Sequence, residues 1–138
     1  MQVLVADDDP VFLEMVSGIL AGCGFEPLPA TNGQEAMAYM EGHGRPRILI
    51  LDWMMPGMDG FEVCRKVRDR SGSDEIIIIM TGTGKKTEIA KILVAGADSY
   101  IIKPFEPLDL QIHLRMAQRL LMLQDELAQA KAPLEKTY

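Results

Sequence analysis

At 138 residues, 48% of them hydrophobic, the chain can close a single α/β core with little left over. A formal charge of -6 argues against a nucleic-acid surface, which needs clustered Lys and Arg to displace counterions from phosphates. Two cysteines, Cys23 and Cys64, sit in helical-looking segments without the spacing of a bridge or a metal site, and read as reduced core thiols.

The first element is the apolar run Val3–Ala6, which ends in Asp7-Asp8-Asp9. It is too short for a signal peptide and lacks a basic start, and no later run is long enough to span a membrane, so a cytoplasmic protein is expected. Asp9-Pro10 then offers an N-cap followed by proline at the first helical position. Val11, Phe12, Met15, Ile19 and Leu20 recur at helical period, and Gly22 and Gly24 close that helix. A second strand fits Phe25–Pro29, where two prolines point to an edge position. Asn32-Gly33 opens the second helix.

Ile48–Leu51 and Ile76–Met80 are unbroken apolar runs like the first, as expected of central strands covered on both faces. Phe61, Val63, Cys64 and Val67 mark the third helix, Lys85–Ala95 the fourth, ended by Gly96, and Ser99–Ile102 the fifth strand. Strand alternating with helix predicts a doubly wound, five-stranded parallel sheet of flavodoxin-like order 2-1-3-4-5, with helices on both faces.

From Glu106 no helix breaker occurs until Pro133, about 27 residues or roughly 40 Å of helix, which outlasts the sheet it must cover. Leu110, Leu114, Ala117 and Leu121 form a stripe suited to the domain. Met116, Leu120, Leu123, Leu127, Ala130 and Leu134 form a second stripe with strict four-three spacing, the pattern of a coiled coil. The expected division is a domain over 1–120 and a helical extension over 121–138, with Pro133 stopping or kinking the helix.

In such a sheet, ligands collect beyond the carboxyl ends of the strands where strand order reverses. Asp7 and Asp8 follow the first strand and Asp52 ends the third, so the predicted order makes them neighbours. Carboxylates that close repel unless a cation sits among them, and an all-oxygen set of this size suits Mg2+. A carboxylate beside such a cation can attack a phosphoryl group in line. Thr81 and Lys103, ending the fourth and fifth strands, can supply a hydroxyl and an ammonium for the phosphoryl oxygens.

Asp7-Asp8, Leu51-Asp52-Trp53-Met54-Met55-Pro56-Gly57-Met58-Asp59-Gly60, Thr81-Gly82, and Gly96-Ala97-Asp98-Ser99-Tyr100-Ile101-Ile102-Lys103-Pro104-Phe105 together resemble the receiver domains of bacterial two-component response regulators, over residues 1 to about 120. The resemblance implies a phosphorylation switch in a phosphorelay, with Asp52 as phosphoacceptor. It implies Asp8 as a direct Mg2+ ligand, Asp7 acting mainly through water, and the Met54 carbonyl as a backbone ligand. Thr81 and Lys103 would contact the phosphoryl group, Tyr100 would swing as a switch aromatic, and the Lys103-Pro104 bond would be cis. Met54 and Thr83 match positions that tune phosphoryl lifetime. The phosphoryl donor would be a sensor histidine kinase or a phosphotransfer protein. The signal would pass through the fourth helix, fifth strand and fifth helix to a C-terminal effector. The second stripe itself points to homodimerisation through the extension, against the simpler reading of an amphipathic helix folded back on its own domain.

The simpler readings are set beside these. Asp9 and Asp59 are expected to be helix caps, Trp53 to fill space beside the site, and His43 and His113 to lie on the surface with no ligand partners at useful spacing. A haloacid-dehalogenase-type phosphohydrolase uses similar groups, but with an Asp-x-Asp nucleophile on the first strand. A receiver-like binding module that works without phosphorylation is the other alternative. As a phosphoacceptor that assists only its own phosphotransfer and dephosphorylation, the chain is expected to have no separate substrate and not to be an enzyme.

Overall fold

The computed structural model describes residues 1–137, with side chains through Ala130. Five strands, β1 (Gln2–Ala6), β2 (Glu26–Ala30), β3 (Ile48–Asp52), β4 (Ile76–Thr81) and β5 (Ser99–Ile102), form one parallel sheet in the order β2-β1-β3-β4-β5. Helices α1 (Pro10–Gly22), α2 (Gly33–Tyr39), α3 (Gly60–Arg68), α4 (Lys86–Val94) and α5 (Pro107–Thr137) connect and cover it. The sheet order and the β-α alternation are those the sequence predicts, and β2 with Pro27 and Pro29 is an edge strand.

The two-residue period of a strand divides the apolar runs between two cores. Val3, Val5, Ile48, Ile50, Ile76, Ile78 and Met80 face the side packed by α1 and α5. Leu4, Ala6, Leu49, Leu51, Ile77 and Ile79 face the side that holds Ala36 of α2, Val63 and Val67 of α3, and Ile92 of α4. Each of these large aliphatic side chains contributes about 1.5–3 kcal/mol on burial, which is why the central strands carry no polar alternation.

Local signals set the helix ends. The Asp9 carboxylate accepts from the Val11 and Phe12 amides ahead of Pro10, Asn32 caps α2 through the Glu35 amide, and Asp59 caps α3 through the Glu62 amide. Asp9 and Asp59 are therefore caps, as expected. The buried face of α1 differs from the expected one: Leu13, Val16 and Leu20 are buried, whereas Val11 is 77% and Met15 is 42% exposed. Leu20 belongs to both faces, and Phe12 and Ile19 are half-buried against the same core, so the i, i+3, i+7 stripe meets the sheet most closely while Val11 and Met15 are left to solvent. Cys64 is buried, but Cys23 caps the C-terminus of α1 and is exposed, so only one of the two is a core thiol.

Helix α5 buries Leu110, Leu114, Ala117 and Leu121. Its bounds run to Thr137; the stop or kink expected at Pro133 falls among residues 131–138, whose side chains lie outside the described residues. The side chain of Leu134, the last member of the second stripe, lies outside the described residues. Among the described residues no helix is long and apolar enough to cross a membrane.

Candidate functional site

Strand register assembles the site. Ala6 pairs with Leu51 and Asp52 with Met80, so the carboxyl ends of β1, β3 and β4 open at one level. Asp7, directly after β1, is fully buried; its amide donates to the Ala30 carbonyl at 3.0 Å and its Oδ1 accepts from the Asp9 amide at 2.9 Å. Asp52 is only 7% exposed, and Asp8 is exposed. Asp7, Asp8 and Asp52 each offer an oxygen within 4.8 Å of the others, a cluster able to hold a metal ion.

Lys103, one residue beyond β5, reaches into the cluster. Its amide donates to the Thr81 carbonyl at 2.7 Å, tying the ends of β4 and β5 together. Its Nζ lies 2.7 Å from Asp7 Oδ2 and 3.4 Å from Asp52 Oδ1. The Lys103-Pro104 bond is cis. Three carboxylates thus face one ammonium, and the balance is negative. Burial, reinforced by the Asp7 charge and opposed by Lys103, pushes the Asp52 carboxyl up to about 7. A divalent cation would remove that imbalance, and the oxygen-only donor set suits a hard one.

The other residues singled out by the sequence stand at different distances from this centre. Thr81 is buried at the end of β4, with its hydroxyl 3.4 Å from the Thr83 carbonyl and 3.3 Å from the Thr83 amide. Met54 follows Asp52 by two residues, its side chain 71% exposed. Tyr100 is half-buried and packs against the core beneath α2, α3 and α4.

Several partners were not legible in the sequence. The Lys103 ammonium lies over the Phe12 ring, 4.4 Å from its centroid, and Phe12 meets Phe105 edge to face at 5.4 Å. The sequence marks Phe12 only as an apolar residue of α1. His113 is not the surface residue expected: it is half-buried, with Nε2 3.0 Å from the Tyr100 carbonyl oxygen and Nδ1 2.9 Å from that of Asp109. It ties α5 to β5 at the residue before Ile101. Nothing in the spacing of one histidine on an amphipathic helix signals this.

Trp53 does fill space beside Asp52, but it also has a polar partner. Its ring is nearly buried and meets Phe61 edge to face at 5.8 Å, and its indole N–H donates to the Glu88 carboxylate on α4. Because Trp53 is the sole tryptophan, its fluorescence reports this contact directly. Glu88→Ala is expected to red-shift the emission, as water reaches the indole N–H, and to cost about 1 kcal/mol of stability. Unchanged emission would show that Glu88 does not shield the ring.

A family model described as the response regulator receiver domain matches residues 3–115. The chain belongs to the response regulator receiver family. The DNA-binding response regulator MtrA of Mycolicibacterium smegmatis is 37% identical over 118 residues, 86% of this chain and 50% of the relative. The chemotaxis protein CheY1 of Helicobacter pylori is 39% identical over 109 residues, 78% of this chain and 88% of that protein. Among solved structures, the chemotaxis protein CheY4 of Vibrio cholerae superposes with a TM-score of 0.78 at 32% identity, covering 84% of this chain and 97% of that one. The chain spans about half the length of MtrA and of the regulatory protein PhoB of Pseudomonas aeruginosa, which it matches at 37% identity. Membership accounts for the sheet order and leaves the hydrolase alternative without support. Receiver domains serve phosphorylation-dependent signalling in two-component systems.

Proposed function

We propose that this receiver domain takes a phosphoryl group from a histidine kinase or phosphotransfer protein onto Asp52 and signals through α4, β5 and α5 to an effector on its C-terminal side. The observation that carries this reading is the placement of Lys103 Nζ against both Asp7 and Asp52, at the mouth of a three-carboxylate cluster.

In the transfer, an Asp52 oxygen forms a bond to phosphorus as the P–N bond of the donor phosphoimidazole breaks, and the imidazole leaves. Asp7, Asp8, Asp52 and the Met54 carbonyl would hold Mg2+, which when bound neutralises charge on the transferring group. Lys103 then exchanges part of its hold on Asp7 for a phosphoryl oxygen. Thr81 turns its hydroxyl from Thr83 toward another, and Tyr100 follows the space that Thr81 vacates. Phe12 backs the Lys103 ammonium and limits where it can go. The chemistry is that of a switch that acts on itself, with no separate substrate.

The test is intact mass after incubation with acetyl phosphate and Mg2+. The wild-type chain is expected to gain one phosphoryl adduct, Asp52→Asn to gain none, and chelation of the metal to prevent the gain. No adduct, or one that survives Asp52→Asn, would overturn the assignment and favour a binding module that works without phosphorylation.

A further inference from the structure

The second apolar stripe of α5 has no cover from its own domain. Met116, Leu120, Leu123 and Leu127 are between 41 and 59% exposed, while Leu110, Leu114, Ala117 and Leu121 on the opposite side are buried in the core. One helix therefore carries two apolar faces, and the domain uses one.

The structure also shows what holds the helix in this attitude. Asp125, one helical turn beyond Leu121, continues the domain-facing stripe. Its carboxylate is gripped by Arg47, with Nη1 3.1 Å from Oδ2 and Nη2 3.1 Å from Oδ1. The same guanidinium reaches Asp74 Oδ2 at 3.1 Å. Arg47 directly precedes β3 and Asp74 lies just before β4, so the base of the sheet clamps the helix from behind the leucines.

We propose that the stripe running from Met116 through Leu127 seats a second copy of this chain in a parallel, in-register coiled coil, with the Arg47–Asp125 clamp presenting it. Charge complementarity selects both occupant and direction. In heptad terms Leu120 and Leu127 occupy a, Met116 and Leu123 occupy d, and the sequence continues with Ala130 at d and Leu134 at a. Glu126 then falls at g and Lys131 at the following e, the two positions that face each other across a parallel pair. An antiparallel pair in the register that uses all six apolar layers sets Glu126 opposite the partner's Glu126, which repels. Asp125 sits at f, on the side away from the seam, so clamp and seam do not compete.

The experiment is independent of chemistry at Asp52. In a Cys23→Ser background, the full chain carrying Leu123→Cys is oxidised at a concentration where sedimentation of the unmodified protein shows dimer. Self-pairing at d yields a covalent dimer from Leu123→Cys alone in the parallel arrangement. An arrangement in which Leu123→Cys stays single but crosslinks when mixed with Leu127→Cys is antiparallel and overturns the proposal, as does a monomer at every concentration. Leu123→Glu, which touches no core residue, should keep the melting temperature and weaken self-association at least about 30-fold. Arg47→Ala should weaken it about threefold, since the clamp is partly exposed to solvent; unchanged association in Arg47→Ala would remove the clamp from the proposal.

Discussion

Asp52→Asn is expected to stabilise the metal-free protein at pH 8 while abolishing phosphoryl acceptance. Burial and the Asp7 charge raise the Asp52 carboxyl from 3.8 to about 7. Between those values the folded protein holds a proton that the unfolded chain has released, so stability is greatest on the acidic side and falls as pH rises through the window. Above pH 7 the full deficit is present. Because the charge is shared among Asp7, Asp8 and Lys103 at a mouth open to solvent, the expected effect is about 2 kcal/mol. The asparagine keeps the shape and removes the repulsion, so melting in the presence of a chelator should rise by about 5–10 °C at pH 8 and much less at pH 5. Mg2+ should raise the wild-type melting temperature and do far less for Asp52→Asn. A variant less stable than wild type at pH 8 would mean that the Lys103 ion pair outweighs the carboxylate repulsion. Such a stability deficit at the acceptor is the ordinary cost of a preorganised site, in which the charges are placed for the phosphoryl state and not for the empty one.

How much of this was legible depends on whether a feature is encoded locally or by the meeting of distant segments. The strands Val3–Ala6, Ile48–Leu51 and Ile76–Met80 announce themselves because burial on both faces leaves no room for polar alternation, and right-handed crossovers then point to a doubly wound sheet without by themselves fixing its strand order. Asp7, Asp8 and Asp52 follow in turn, since residues at strand ends converge once that order is fixed. The orientation of α1 was legible only in part: Phe12, Ile19 and Leu20 do pack on the core, but helical period alone could not say that Leu13 and Val16 are buried while Val11 and Met15 face solvent. Side-chain pairs between elements were invisible for the same reason: Glu88 with Trp53, His113 with the Tyr100 carbonyl, and Arg47 with Asp125 are separated by 35, 13 and 78 residues. None of these pairs has a spacing to read. The second apolar stripe of α5 was legible as a pattern, yet only its exposure beside a clamped Asp125 distinguishes a free face from a helix folded back on its domain.

Gly60→Ala is expected to be the most damaging small change near the acceptor, and the reason is steric, not conformational. Gly60 opens α3 with an ordinary negative φ, so alanine strains no backbone dihedral. The new methyl carbon would instead fall 2.3 Å from the Asp52 carbonyl oxygen and 3.0 Å from the Trp53 Cα. The Gly60 amide also donates to the Trp53 carbonyl at 3.2 Å, so α3 cannot back away without losing that bond. Both neighbours are backbone, and β3 is pinned on either side by β1 and β4. Relief must come from shifting α3 or the acceptor loop, at a cost of about 3 kcal/mol or more. Gly18→Ala is the internal control: Gly18 lies in the middle of α1 with nothing within 4 Å of its added methyl, and there the gain in helix propensity should stabilise by up to about 1 kcal/mol. Urea denaturation should therefore move in opposite directions for the two substitutions. Phosphorylation by acetyl phosphate should remain near wild type in Gly18→Ala and fall steeply in Gly60→Ala even where most of the protein is still folded. Equal and small effects at both positions would show that the acceptor loop yields easily, and that the close approach of α3 to Asp52 does not fix the geometry of the site.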